Sequence, residues 1–380
     1  MALGSLLNNP ADHNLGRSRG VWSAIHLDPL LLALLLLLMG GGLFVLYSGA
    51  DRNIEVVKAQ GIRFGVALVV MFVFAQLDPA VFRRWAPWLY AAGIVGLVAV
   101  LLVGVGAKGA QRWLAIPGLP RFQPSEFMKL VVPMMAAWYL SRHFLPPRLS
   151  HVAVGLVLVL VPMALIVQQP DLGTSLLVGM AGIFVVFFAG MSWKLISAFF
   201  ALVSVSAPMM WFFVMRDYQK QRVLTLLDPQ SDPLGAGWNI IQSKTAIGSG
   251  GMDGKGWLQG TQSHLEFLPE SHTDFIVAVL AEEFGFIGML LLMTLYFLII
   301  LRCLYIAVTA QDSFSRLLAG ALTMTFFIYV FVNVGMVSGL LPVVGVPLPL
   351  VSYGGTSGVT LMAAFGVLMS IHTHRRMISA

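Results

Sequence analysis

Apolar segments long enough for membrane helices follow one another from residue 30 to residue 371, and they constrain this chain more than any other feature. A helix needs about 20 apolar residues to cross roughly 30 Å of hydrocarbon. Ten segments meet or approach this length, with predicted limits of 30–50, 61–77, 86–105, 125–141, 152–168, 173–191, 195–215, 274–301, 316–341 and 353–371. The sequence therefore predicts an all-α, polytopic integral membrane protein that forms a single membrane domain over residues 1–380.

The composition excludes the main soluble classes of protein. Only 11% of the residues are charged and 58% are hydrophobic, whereas soluble proteins carry about 25% charged residues. The single cysteine, Cys303, has no second cysteine with which to form a disulfide in the chain. The net charge of +6 is scattered between apolar segments and forms no continuous basic stripe, so we predict no nucleic-acid partner.

The basic residues predict a topology. In the short connections they favour the side that holds both termini, which is the pattern expected of the cytoplasmic face. We therefore predict cytoplasmic tails at 1–28 and 372–380 and a large extracytoplasmic loop at 216–273, between the seventh and eighth spans. One group of cations lies on the outer side, against this trend: Lys108, Arg112, Arg121 and Lys129.

This group of outer cations ends at the start of the fourth span and has two interpretations. Glu126 and Lys129 are three residues apart, so they can pair on one face of a helix. The first interpretation is a surface salt bridge beside an interfacial turn. The second is an anion site, in which fixed cations at the outer membrane surface hold the phosphates of a lipid headgroup.

The predicted loop contains a glycine-rich segment, GSGGMDGKGWLQG, over residues 248–260. A phosphate-binding P-loop needs a glycine five residues before the Gly-Lys pair and a Ser or Thr after the lysine. Here Ser249 occupies the first position and Gly256 follows Lys255, so we reject this motif. We expect the glycines to provide flexible backbone near an extended substrate.

The end of the same loop, LEFLPESHTDF, brings Glu266, Glu270, His272 and Asp274 within nine residues of one another. Asp274 lies where water meets lipid, and partial desolvation there favours a carboxylate that can act as a base. The alternative is that Thr273 or Asp274 caps the following helix. The segment lacks the usual metal-ligand spacings, so we predict no certain cofactor and leave a divalent cation open.

Two further features lie at membrane depth. Glu282 and Glu283 are eight and nine residues into the eighth span, and charged groups at such depth are expected to face a polar cavity or another helix. The proline-rich segment PVVGVPLPLVSYGGTS, residues 342–357, carries no charge. Non-helical backbone at this depth must be buried in protein, so we predict a re-entrant loop rather than a simple tight turn.

These features favour one kind of chemistry. The chain has no nucleotide motif, so a reaction at the outer face requires a substrate that is already activated and carried by the bilayer. Lipid-linked diphospho-sugars meet both requirements. Asp274 is then the predicted base for the acceptor hydroxyl, and Arg112, Arg121 and Lys129 are predicted to stabilise the departing diphosphate.

Several motifs carry a resemblance to a known family. The spacing Asn333-x5-Gly339, then Pro342-x-x-Gly345, then Ser352-Tyr353-Gly354-Gly355, resembles the signature of the shape, elongation, division and sporulation family, known as SEDS. The segments KGAQRWL, FQPSE, QQPDLGTS, LDPQSDPLGAGWNIIQSK and LPESHTDF are similar to that family as well. The resemblance covers essentially the whole chain.

The resemblance implies a ten-helix peptidoglycan glycosyltransferase that polymerises lipid II into glycan strands during cell elongation and maintenance of rod shape. It implies a class B penicillin-binding transpeptidase and other elongation-complex membrane proteins as partners. It also implies that Asp274 is the essential carboxylate. The residues predicted to bind substrate are Arg112, Arg121, Glu126, Lys129, Gln168, Glu266, Glu270 and His272.

Two other classes of function stay open at this stage. A flippase of the lipid-linked precursor also needs a polar cavity, and Glu282 and Glu283 would suit a translocation path. A scaffold that only recruits a partner would tolerate changes at Asp274 and be sensitive to changes on helix surfaces. A transporter is expected to present substrate groups to both sides of the membrane, whereas the charged motifs here concentrate on the outer side.

Overall fold

The computed structural model describes residues 25–107, 110–115, 122–215, 217–232, 235–261 and 271–374. Each of the ten predicted spans contains a helix. In chain order these are α1 (Pro29–Gly49), α2 (Ile54–Gln76), α3 (Pro79–Val103), α4 (Pro124–Leu140), α5 (Leu149–Gln168), α6 (Leu172–Phe188), α7 (Trp193–Met209), α10 (Ile276–Val308), α11 (Ser313–Val337) and α12 (Thr356–Thr373). Seven of the described helices are long and apolar enough to cross a membrane, so the polytopic all-α prediction is confirmed.

The helices begin where the sequence supplies a cap. Asp28 accepts a hydrogen bond from the Leu31 amide at 3.0 Å, and Pro29 occupies the first helical position of α1. Asp78 and Pro79 start α3 in the same way. An acceptor side chain followed by proline is favourable there because proline lacks the amide that would be left unbonded. This cap places the start of α3 seven residues earlier than hydropathy predicts.

α11 lies at the centre of the bundle and α2 at its edge. In the apolar window of α11, 72% of the residues are buried inside the protein, against 22% for α2. The outward side chains of α2, such as Ile62 and Val69, are exposed. These exposed apolar residues are expected to face lipid, because lipid tails are as apolar as they are.

The predicted loop at 216–273 is not a simple coil. Its described part contains α8 (Asp217–Leu227), a short 3₁₀ helix (Pro229–Ser231) and α9 (Ala236–Gly250). Between α3 and α4, strands β1 (Val105–Ala107) and β2 (Ala110–Trp113) form an antiparallel hairpin. The described parts of these connections therefore form regular secondary structure that can position functional residues.

The eighth membrane helix, α10, is broken at Gly285, where φ is 61° and ψ is −157°. The glycine-rich segment fills the break and replaces the helical hydrogen bonds lost there. The amides of Lys255 and Gly256 donate to the carbonyls of Glu282 and Glu283, both at 3.0 Å. On the other side of the break, the Phe286 and Ile287 amides donate to the carbonyls of Gly251 and Met252. The structure therefore shows a packing role in place of the predicted flexible backbone, because Gly250 and Gly254 allow close approach to α10; nearness to a substrate stays a prediction.

The two glutamates beside the break face protein, as predicted. Glu282 is 0% exposed, and its Oε1 accepts from Lys255 Nζ at 2.7 Å. Glu283 is 1% exposed, and its Oε1 accepts from the Leu258 amide at 3.1 Å and from the Ser48 hydroxyl on α1. Both carboxylates therefore hold the glycine-rich segment and α1 against the break.

We predict that Gly285→Ala destabilises the protein. A Cβ at residue 285 would lie 2.5 Å from the Met252 carbonyl oxygen, and an L-residue at this positive φ adds about 1–2 kcal/mol of strain. The melting temperature in detergent should fall. Gly248→Ala is the matched control, because a Cβ there meets nothing within 4 Å and alanine favours helix. Equal melting temperatures for the two variants would contradict this account of the break.

The predicted re-entrant loop is confirmed. Residues 338–355 between α11 and α12 are not helical, and Val346, Leu348 and Leu350 are buried. The carbonyl of Pro349 accepts from the buried Tyr296 hydroxyl on α10 at 2.6 Å. The segment therefore enters the bundle, and its backbone groups are bonded by protein.

Candidate active site

Asp274 lies in the turn that leads into α10 and is partly exposed. The N-cap of α10 is Phe275, so the alternative in which Thr273 or Asp274 caps the helix is not observed. The backbone of the turn is held by the buried side chain of Asn333 on α11. Its Nδ2 donates to the Asp274 carbonyl at 2.9 Å and to the Val346 carbonyl at 2.7 Å. One amide group therefore fixes the carboxylate-bearing turn against the re-entrant segment.

The carboxylate of Asp274 points toward Gly345 in that segment. A Cβ at residue 345 would lie 3.4 Å from Asp274 Oδ2, and the φ of Gly345 is +74°. Glycine is therefore favoured at this position by its conformation, and its lack of a side chain leaves room beside the carboxylate.

We predict that Gly345→Ala lowers the glycosyltransferase activity that the family resemblance implies, without unfolding the protein. The added Cβ would strain the backbone at this positive φ and occupy the space beside Asp274 Oδ2, and a misplacement of about 1 Å can cost about 10²-fold in rate. Gly358→Ala is the matched control, since residue 358 has open space and no positive φ. The rate of glycan formation by each purified variant tests this, and a wild-type rate for Gly345→Ala would contradict it.

His272 and Tyr353 join the turn to the start of α12. The Tyr353 amide donates to the His272 carbonyl at 2.9 Å, and the two rings meet edge to face at 5.9 Å. Arg63 on α2 lies over the other side of this aromatic pair, with its guanidinium carbon 4.3 Å from the centre of the Tyr353 ring. Gln60, one turn earlier, accepts from the Gly354 amide at 3.3 Å. A cation from the second span is thus brought beside the HTDF segment.

Sequence analysis missed Arg63. It lies inside the predicted span 61–77, and an ionisable residue at membrane depth is itself a signal for function. Its contact with Tyr353 was not predictable, because the two residues are far apart in the chain.

A second group of charges surrounds the start of α6. Asp171 caps this helix by accepting from the Thr174 amide at 3.2 Å. Arg112 donates from Nη2 to the Pro170 carbonyl at 2.5 Å, and its Nε is 3.7 Å from Asp171 Oδ2. The side chain of Arg112 is 35% exposed, whereas that of Asp171 is 8% exposed. Asp171 is a second residue missed by sequence analysis, since an aspartate after proline indicates only a helix cap.

The predicted pair in α4 is confirmed. Lys129 Nζ lies 2.5 Å from Glu126 Oε1, and both side chains are less than 10% exposed. Lys129 also lies 5.0 Å from the centre of the Tyr329 ring on α11. Lys129 and Arg112 therefore each have a carboxylate partner, and the surface salt bridge of the first interpretation is instead a buried pair.

The two groups of charges are connected through α11 and the re-entrant segment. Tyr329, which contacts Lys129, is one helical turn from Asn333, which holds the Asp274 turn. In addition, Gly173 in the first turn of α6 packs against Val344, with a Cβ position 3.0 Å from the Val344 carbonyl oxygen. α11 and the re-entrant segment therefore contact both groups, the Asp274 turn on one side and the Lys129 and Asp171 regions on the other.

The other predicted site residues differ in their placement. Gln168 is exposed at the end of α5, whereas its neighbour Gln169 is buried and donates to the Leu97 carbonyl at 3.0 Å. Arg121, Glu266 and Glu270 lie outside the described residues. Among the residues that the structure describes, no group of three His, Cys, Asp or Glu is placed to hold a metal ion, and a divalent cation stays a prediction.

Known proteins resemble this chain over almost its full length. Residues 28–377 match the FtsW/RodA/SpoVE family, described as cell cycle protein. The peptidoglycan glycosyltransferase MrdB of Escherichia coli K12 is 55% identical over 94% of this chain and 96% of its own length. A probable peptidoglycan glycosyltransferase FtsW of Trichlorobacter lovleyi is 37% identical over 90% of this chain and 92% of its own length.

Solved structures share the fold. A chain from a peptidoglycan synthase complex, described as coordinating polymerization and crosslinking, has a TM-score of 0.80 and 32% identity. The alignment covers 91% of this chain and 97% of that one. The rod shape determining protein RodA of Thermus thermophilus has a TM-score of 0.69 and 28% identity, over 92% of this chain and 98% of that one.

Proposed function

The chain belongs to the FtsW/RodA/SpoVE family, and from this we infer that it is a peptidoglycan glycosyltransferase of the bacterial inner membrane. A relative 55% identical over nearly the whole chain bears that name. The multi-pass helical fold and its likeness to a chain of a peptidoglycan synthase complex support the same conclusion.

We propose that the substrate is lipid II and that the product is a growing glycan strand on the extracytoplasmic side. In the reaction, the acceptor hydroxyl oxygen of lipid II forms a bond to the anomeric carbon of the strand. The bond from that carbon to the diphosphate breaks, and the polyprenyl diphosphate leaves with the electron pair. The hydroxyl proton passes to a base, and attack from the face opposite the leaving group inverts the linkage.

Asp274 is the proposed base. The observation that carries this assignment is the double hydrogen bond of Asn333, which fixes the Asp274 turn while Oδ2 points at the bare backbone of Gly345. Held in this way, the carboxylate is partly exposed and can reach a substrate hydroxyl without a large rearrangement. A positioned base of this kind contributes about 10²- to 10⁴-fold to a rate.

The departing diphosphate requires cations. Arg112 and Arg63 are the best placed of the described cations, because both are partly exposed. Lys129 is buried against Glu126, and we propose that it supports the diphosphate through its field from behind the site. His272 borders the site through its contact with Tyr353. Arg121, Glu266 and Glu270 are retained as proposed substrate contacts from their motifs.

We propose a class B penicillin-binding transpeptidase as partner. The structure of a complex that coordinates polymerization and crosslinking contains a chain that is similar to 91% of this chain. A polymerase that makes strands beside an enzyme that crosslinks them is consistent with that pairing.

The flippase alternative loses its main support. Glu282 and Glu283 suggested a translocation path, but both are buried and bonded to Lys255, Leu258 and Ser48. Carboxylates engaged in this way hold the helix break together and do not line an open route through the bundle.

A liposome assay tests the proposed function. The purified protein, reconstituted with fluorescent lipid II, should make glycan chains that are visible by gel electrophoresis, and an antibiotic control should exclude contaminating transferases. Transfer of labelled lipid II across the bilayer, measured in the same vesicles, separates the two functions. Translocation without polymer would overturn the glycosyltransferase assignment.

A further inference from the structure

An apolar groove of about 390 Å³ lies between α1 and α10. Leu37 and Phe44 line it from α1, and Leu280 and Leu291 line it from α10. Val351 of the re-entrant segment forms part of the wall. Leu37, Phe44 and Leu291 are each more than 40% exposed in the isolated chain, so the groove opens toward the lipid side of the bundle.

Consecutive glycines in α1 create this groove. A Cβ at Gly42 would lie 2.7 Å from the Leu350 carbonyl oxygen, so Gly42 is needed for close packing on the re-entrant segment. A Cβ at Gly41 would meet nothing within 4 Å, although Gly41 lines the groove. Glycine in a helix interior costs about 1 kcal/mol relative to alanine. The absence of a side chain at Gly41 leaves the groove open at this level.

The groove lies below the Asp274 turn. Ser271 Oγ in that turn donates to the Gly49 carbonyl at the end of α1, at 3.0 Å. Gly41 is eight residues further into α1, which is about 12 Å at 1.5 Å per residue. The re-entrant segment makes a second connection. Its Val351 lines the groove, and two residues later the Tyr353 amide donates to the His272 carbonyl in the turn. α1 and the re-entrant segment thus contribute both to the groove and to the surroundings of the proposed active site.

An aromatic pair borders the upper part of the groove. The Phe44 ring stacks on Trp257 of the glycine-rich segment, with ring centres 4.4 Å apart. Tryptophan is enriched where lipid meets water, which is consistent with a groove that starts just below the membrane surface and runs inward.

We propose that this groove binds the polyprenyl chain of the lipid-linked substrate. The inference rests on the proposed function, because it takes the reacting sugar to lie beside Asp274, with the diphosphate on the opposite face of the anomeric carbon. A lipid whose headgroup is at that turn must send its chain down into the membrane, and the groove offers an apolar surface there, with Gly41 about 12 Å further into the membrane than Gly49. Van der Waals packing of the chain against Leu, Phe and Val side chains would favour this path over bulk lipid and orient the anomeric carbon toward the acceptor hydroxyl.

The test fills the groove. Gly41→Leu places a side chain in the groove, with its Cβ in open space, and leucine favours helix over glycine. We expect it to raise the KM for long-chain lipid II about tenfold, the lower end of the range for hydrophobic pockets. Gly40→Leu is the matched control, because residue 40 has equally open space but does not line the groove. It should leave the KM at the wild-type value.

A short-chain lipid II, whose hydrocarbon ends above the level of Gly41, supplies the second readout. Its KM should be the same in the wild type and in Gly41→Leu. The proposal is overturned if Gly41→Leu changes neither KM, changes both equally, or displaces only a bound phospholipid in native mass spectrometry. Failure of the proposed function is distinct, because the wild type would then make no polymer from either substrate.

Discussion

Asp274→Asn should leave a folded, membrane-inserted protein that makes almost no glycan. Asparagine has nearly the shape of aspartate, and the bond from Asn333 goes to the backbone carbonyl of residue 274, which the change does not alter. An amide, however, cannot accept the proton of the acceptor hydroxyl. We expect the rate of polymerisation to fall by about 10²- to 10⁴-fold.

Gel analysis of glycan chains from purified protein measures the loss, and the melting temperature in detergent reports the fold. Asp253→Asn is a suitable control, because Asp253 is an exposed carboxylate on the glycine-rich segment and should be neutral in both assays. Glycan formation at the wild-type rate by Asp274→Asn would exclude this residue as the base, while the family membership of the chain would stand.

Hydropathy predicts the membrane helices well because a bilayer leaves few alternatives. An apolar segment of the right length must form a helix whose backbone groups bond internally. Caps such as Asp78 then decide the helix ends, which explains why α3 starts before its predicted limit. The Glu126–Lys129 pair was also predictable, since a spacing of three residues fixes their proximity on any helix.

Contacts between distant segments were not predictable in this way. Gln60 and Ser352 interact although they are 292 residues apart, and nothing in either local sequence indicates the other. The contact of Arg63 with Tyr353 was not predictable for the same reason, because the two residues are far apart in the chain. Periodicity and propensity describe local structure, whereas these residues meet only through the packing of α2 against α12.

The break in α10 was not predictable from the sequence for a different reason. Gly285 follows Glu283 within an apolar run, and glycines are common in membrane helices. Only the partner segment reveals its role, because the amides of Lys255 and Gly256 replace the bonds that the break removes. The glycine-rich segment and the break in α10 form one structure, and the sequence of either segment alone does not predict it.

Lys129→Met is expected to be the most destabilising of the charge substitutions. It would leave Glu126 buried without its ion-pair partner, and breaking a buried pair in this way costs about 3–5 kcal/mol. The melting temperature in detergent should fall clearly. Lys58→Met is the matched control: Lys58 pairs with Glu55 at the same spacing of three residues, but these side chains are 61% and 75% exposed. Its loss should cost no more than about 1 kcal/mol.

The double variant Glu126→Leu with Lys129→Met separates stability from function. Replacing both members of a buried ion pair by apolar side chains is often neutral or stabilising, so the melting temperature should return toward that of the wild type. Polymerisation should stay low, because the diphosphate still loses the field of Lys129. If the double variant makes glycan at the wild-type rate, the pair serves only to pack α4 against α11, and the charge that stabilises the leaving group must come from the arginines alone.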